Sequence, residues 1–127
     1  MGNWELGIGS MKKDNVIQQK SYAFAVRIVK VYQYLCDEKR EFTLSKQLLR
    51  CGTSVGANVE EAIGAHSKKD FVSKMIIAYK EARETKYWLR LLDKSQLIEH
   101  NYSNSFNDID SICNILTAII KSSKNTI

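Results

Sequence analysis

Acid–base, nucleophilic and metal chemistry need ionisable side chains at spacings a fold can bring together, and this sequence offers few of them. Its two histidines, His66 and His100, fall at helix ends or in loops. A di-iron site in a helical bundle uses Glu-x-x-His on two helices, whereas His66 follows Glu61 by five residues, off its face. The three cysteines, Cys36, Cys51 and Cys113, contain no C-x-x-C pair, so neither a zinc ribbon nor a zinc finger is supported. Glu60, Glu61, Glu81, Glu84, Asp108 and Asp110 lie in helical stretches, where carboxylates mostly solvate a surface or pair with a cation. No Ser–His–Asp or Cys–His grouping has local support. The expectation is a protein that is not an enzyme, with no catalytic residues, no metal and no cofactor.

Two patterns remain. Between Arg50 and Asn58, the run Cys51-Gly52-Thr53-Ser54-Val55-Gly56-Ala57 is rich in small residues. It lacks the G-x-x-x-x-G-K-[ST] needed to cradle a phosphate. Gly52 and Gly56 share a helix face, so the reading is close approach of another helix, at about 1 kcal/mol per mid-helix glycine. The second pattern is charge. At about 100° per residue, Lys69, Lys80, Arg83, Lys86, Arg90 and Lys94 cluster on one side of a helix, and Asp70, Glu81 and Glu84 on another. Like charges stacked along one side repel weakly, and an anion nearby would relieve them. Phosphate contact with nucleic acid is the functional reading. A solvated face, or pairing with acids of a neighbouring subunit, produces the same sorting.

Helices must position these residues, and four can be read. The first is expected from Asp14 as N-cap, with Ile17, Phe24, Ile28, Val31 and Leu35 inward and the charged cluster Asp37–Glu41 as its solvated end. The second starts near Thr43, a candidate cap, buries Leu44, Leu48, Cys51, Val55, Val59 and Ala62, and stops at Gly64. Ser67-Lys68-Lys69-Asp70 resembles a capping box and opens a third helix on Phe71, Met75, Ala78, Ala82, Thr85, Leu89 and Leu92. Their alternation of fours and threes is a heptad seam. After a polar stretch from Glu99 to Asn104, a fourth helix places Phe106, Ile109, Ile112 or Cys113, Leu116 and Ile120 inward. Short connections favour antiparallel neighbours, so the expected fold is all-α, an antiparallel up-down four-helix bundle. Asn58 and Glu61 are expected near the seam, as polar partners for Arg50 or Arg83.

Composition agrees. The 127 residues carry no proline and only six glycines, which favours long helices over a turn-rich sandwich. The net charge of +5 is a mild basic excess. No apolar run approaches a membrane span, Leu6 stands where a myristoylation motif needs Ser or Thr, and unpaired cysteines suit a reducing compartment. A cytoplasmic location is expected. Residues 1–10 hold three glycines and no helical period, and Met11 follows Gly9-Ser10. The reading is a cloning-derived or disordered leader, 1–10, ahead of a single bundle domain, 11–127.

Ile76, Ile77, Tyr87, Trp88 and Leu91 fall outside the third helix's seam. A helix apolar on several faces is buried on several faces, so these residues are expected at a homo-oligomer interface. The alternative is a wider intramolecular core.

Two strings are familiar. Ser45–Ala62, SKQLLRCGTSVGANVEEA, followed by Ser67-Lys68-Lys69-Asp70-Phe71 and Lys80–Leu89, KEARETKYWL, resembles a bacterial family of four-helix bundles. Its members are encoded in intervening sequences of 23S ribosomal RNA genes and often labelled ribosomal proteins. The resemblance runs from Asn15 to Ile98, looser in the fourth helix, with Cys51 where the family usually has Ser. It implies a ring-like homo-oligomer, a pentamer. It also links to accessory proteins of diversity-generating retroelements, similar bundles that bind nucleic acid and a reverse transcriptase. It implies no catalytic residues. The expected function is a non-enzymatic homo-oligomer contacting RNA or DNA through its basic face, and the alternative is a protein-interaction scaffold with no nucleic-acid role.

Overall fold

A computed structural model describes the backbone of residues 8–125 and the side chains of residues 16–124. The apolar periods become four helices: α1 (Ile8–Asp37), α2 (Leu44–Ile63), α3 (Lys68–Ser95) and α4 (Ser103–Asn125). Each packs on its neighbours in the chain and α4 closes back onto α1, with no close backbone approach across either diagonal among the described residues. The result is the up-down bundle that short connections at 38–43, 64–67 and 96–102 require.

The core is made by the expected seams. Ile17, Phe24, Ile28, Val31 and Leu35 of α1 are buried, as are Leu48, Cys51, Val55, Val59 and Ala62 of α2. All seven seam residues of α3 are buried, including Thr85, whose hydroxyl donates to the Glu81 carbonyl. The fourth seam is Tyr102, just ahead of α4, followed by Ser105, Ile109, Ile112, Leu116 and Ile119 of α4. Phe106 and Ile120 stand beside it, half-buried, and Ile112 rather than Cys113 fills the middle position. The connector expected to be polar therefore holds a buried residue. Tyr102 is 2% exposed, packed edge-on to His100, and burial, with the Asp93 charge adding, pushes its hydroxyl pKa up to about 12.

Two helix ends differ from expectation. Helix α1 runs back through Asp14 to Ile8, so Asp14 is not its N-cap, and the boundary expected at Met11 falls inside the helix. Residues 1–7 of the expected leader lie outside the described residues. Thr43 makes no side-chain cap to α2. Glu41 does that work: its carboxylate accepts from the N–H of Thr43 at 3.1 Å, Leu44 at 3.0 Å and Ser45 at 2.8 Å. The chain reaches that position through Arg40 in the left-handed region, φ 57°. Partial burial works to raise the Glu41 pKa, but the three N–H groups outweigh it and hold it below the ordinary value. The Ser67 cap is as expected, its Oγ accepting from the Asp70 N–H at 3.0 Å.

The glycines do what their spacing suggests. A Cβ at Gly52 would stand 2.9 Å from Ile28 Cγ2, and one at Gly56 would stand 3.3 Å from the Ser21 carbonyl oxygen, so α1 lies directly on α2 there. The expected partnership of Asn58 and Glu61 with Arg50 or Arg83 does not form. Asn58 Nδ2 donates to the Ser54 carbonyl at 2.8 Å, and Glu61 pairs with Lys74 of α3 at 2.9 Å. Arg50 is instead taken by Glu81 and Glu84, and Arg83 lies on the α4 side of α3 against Tyr79.

Candidate nucleic-acid interface

Helix α3 sorts its charges by neighbour. Toward α2 it presents Glu81 and Glu84, and Arg50 of α2 pairs with both. Glu84 Oε2 also accepts from Trp88 Nε1 at 3.0 Å. Toward α4 it presents Tyr79, Arg83, Lys86 and Arg90, which with Tyr87 and with Asp110, Cys113 and Asn114 of α4 line an open groove. Two further depressions continue that groove. One, between Ile76, Tyr79, Thr117, Ile120, Lys121 and Lys124, shares Tyr79 with it. The other, between Tyr87, Arg90, Leu91 and Lys94, shares Tyr87 and Arg90. Together they form one trough, walled by α3 and α4 along the first two and by α3 alone at Tyr87, Arg90, Leu91 and Lys94, with tyrosines at the two junctions.

Six cations border the trough: Arg83, Lys86, Arg90, Lys94, Lys121 and Lys124. Glu84 and Asp110 are the carboxylates in its lining, and Asp110 holds Lys86 at 2.7 Å. Arg83 lies over the Tyr79 ring, 5.9 Å from its centroid, and donates to the Tyr79 hydroxyl at 3.1 Å. That hydrogen bond raises the Arg83 pKa further above its ordinary value, so the group is a fixed positive charge. Arg90 and Lys94 have no ion-pair partner among the described residues, and neither do Lys69 and Lys80. Burial pushes the Cys113 thiol pKa up.

Of the six basic residues singled out from the sequence, the structure brings Arg83, Lys86, Arg90 and Lys94 together. Lys69 and Lys80 are exposed on α3 outside the trough lining. Lys121 and Lys124 were missed. The signal existed, since Asp110, Asn114, Thr117, Lys121 and Lys124 recur at threes and fours, but nothing local says that this side of α4 meets the basic side of α3.

The apolar residues outside the α3 seam divide. Ile76 and Trp88 are half-buried against the bundle's own core, as the wider-core alternative has it. Ile77, Tyr87 and Leu91 remain 37%, 53% and 36% exposed. Tyr87 and Leu91 stand among the trough cations. A second exposed apolar strip, missed from the sequence, lies on α1: Tyr22, Val26 and Val29, 70%, 41% and 38% exposed. Projection at about 100° per residue sets Gln19 and Gln33 beside them, a strip with no charge along its centre. Among the described residues no helix is long and apolar enough to cross a membrane, and no three His, Cys, Asp or Glu side chains converge as metal ligands.

Comparison with known proteins adds two findings. The family model of the 23S rRNA-intervening sequence protein matches residues 13–118. A solved structure from Bacteroides thetaiotaomicron, described as a protein of unknown function from the S23 ribosomal protein family, is similar throughout. It is 51% identical over 86% of this chain and 98% of that one, with a TM-score of 0.83. No curated protein matches.

Proposed function

Since the chain belongs to the 23S rRNA-intervening sequence protein family, we propose that it is a cytoplasmic, non-enzymatic homo-oligomer that holds nucleic acid along the α3–α4 trough. The observation that carries this reading is the convergence of Arg83, Lys86 and Arg90 in one open groove, extended by Lys94, Lys121 and Lys124. Phosphates are the anions such a row of cations suits, and the contact is independent of sequence. Repetition around a ring, a pentamer on the family resemblance, multiplies a charge of +5 per chain into a strong local field.

The α1 strip of Tyr22, Val26 and Val29 supports self-association, because an exposed apolar surface without charge is inexpensive to desolvate. Ile77 is the α3 residue best suited to the same role. Mass by light scattering is expected to show an oligomer that Val26→Glu dissociates. The nucleic-acid reading is tested by titrating a structured RNA at about 50 and 200 mM salt, where phosphate contacts predict a steep loss of affinity. Binding that ignores salt, or a purified protein that never carries nucleic acid and binds none, leaves the protein-interaction scaffold as the better description.

A further inference from the structure

Phosphate binding accounts for the cations of the trough but not for its tyrosines. Tyr87 is 53% exposed and stands where two depressions meet, with Arg83 and Lys86 on one side and Leu91 and Lys94 on the other. Its ring is backed by Trp88, edge-on at 5.1 Å between centroids and 77° between planes. Trp88 is itself anchored by its Nε1 hydrogen bond to Glu84. An exposed aromatic ring set against an anchored indole loses little freedom on binding, and so suits a stacking platform. Tyr79 marks the other junction, but its ring is occupied by Arg83.

A duplex offers phosphates outside and hides base faces inside, so it would leave Tyr87 unused. A single strand offers both. Aromatic rings interleaved with cations along a groove are how proteins hold single strands without reading sequence. We infer that the α3–α4 trough takes single-stranded nucleic acid, with an unpaired base stacked on Tyr87 and flanking phosphates on Arg83, Arg90 and Lys94. The inference rests on the nucleic-acid reading above and names the form of its ligand. Asn114, on the α4 wall, is a group within the groove that can meet a base edge.

The experiment compares a labelled single-stranded RNA of mixed sequence with the same strand in a blunt duplex, by fluorescence anisotropy on the full chain. The single strand is expected to bind more tightly. Tyr87→Ala should weaken it about tenfold, within the range for loss of one stacked base, while Tyr87→Phe retains binding and the duplex affinity stays unchanged. In a Trp4→Phe background, Trp88 is the sole indole, and its emission should change on binding the single strand and stay constant with the duplex. Circular dichroism confirms that the variants remain folded, as expected for a change at an exposed ring. Equal binding of both forms with Tyr87→Ala silent overturns the stacking inference and leaves the phosphate reading standing. Failure of both the single strand and the duplex to bind overturns both readings. A loss of oligomer mass in Tyr87→Ala, with RNA binding intact, would assign the ring to a subunit contact and also overturn the inference.

Discussion

Gly52 of α2 lies so close beneath Ile28 of α1 that a methyl group on it would stand 2.9 Å from Ile28 Cγ2. Ile28 is fully buried, and its Cγ1 and Cβ would stand 3.1 and 3.4 Å from the same methyl group. Gly64, at the end of α2, has φ −87°, a conformation any residue adopts, and a methyl there would meet nothing nearer than 3.7 Å.

The same substitution should therefore act with opposite sign at the two sites. Gly52→Ala gains about 1 kcal/mol of helix propensity but overpacks the interface, which costs roughly 1–3 kcal/mol, so a net loss of about 1 kcal/mol is expected. Gly64→Ala should stabilise by about 0.5 kcal/mol through the unfolded state. Urea midpoints at constant slope would measure both. A stabilised Gly52→Ala would contradict the close packing of α1 on α2.

Glu41 gives the fold a pH dependence. Its folded pKa lies below the ordinary value of 4.5, so its contribution is complete above that value and is lost as pH falls through the folded pKa. Glu41→Ala should cost about 1 kcal/mol near neutrality, the usual scale for a lost cap. The stability of Glu41→Gln should fall less steeply than that of the parent chain between about pH 5 and pH 3. Thermal unfolding across that range is the measurement, and parallel curves would remove Glu41 from the cap.

Asp110 and Lys86 form an exposed pair at 2.7 Å inside the trough, and pairs of this kind contribute little stability. Asp110→Asn should leave folding nearly unchanged, free Lys86, and strengthen RNA binding several-fold. Asp37→Asn removes the same charge from the exposed end of α1 and should change affinity far less. Equal effects would mean that net charge, not the trough, governs binding. Arg83→Gln and Arg90→Gln should each lower the salt slope by about one.

The cysteines serve as footprints. Cys51 is wholly buried, and burial raises its pKa, so iodoacetamide should reach it only on unfolding. Cys36 and Cys113 are half-buried and should react in the folded protein, Cys113 faster as pH rises. Bound single-stranded RNA should protect Cys113, which lines the trough, and spare Cys36. Protection of both, or of neither, would place the ligand elsewhere.

Much of this was legible in the chain. The fours and threes of Phe71 to Leu92 define an inward face whatever surrounds them, and the Ser67 cap needs only the next three residues. The closeness of α1 at Gly52 and Gly56 was legible as well, since two glycines one turn apart clear a strip of helix surface. What escaped depended on relations between segments. Glu41 read as part of a solvated cluster until the left-handed turn at Arg40 swung its carboxylate under α2. Tyr102 read as connector until it closed over the core. Ile76 and Trp88 could not be divided from Tyr87 and Leu91 by period alone, because their neighbours on α2 and α4 decide which are covered.

The sequence by itself determined that there are four amphipathic helices, which residues of α3 and most of those of α1 and α2 turn inward, and that α3 carries its basic and acidic residues on different sides. Periodicity fixes angles about one helix axis, so all of these are properties of a single segment. Only the tertiary structure decided that the basic side of α3 meets the side of α4 bearing Lys121 and Lys124, that Asp110 there neutralises Lys86, and that Tyr87 stays exposed between cations. Those facts depend on the rotation of one helix relative to another, which is set by how the side chains of both interlock, and no single helix's period contains that information.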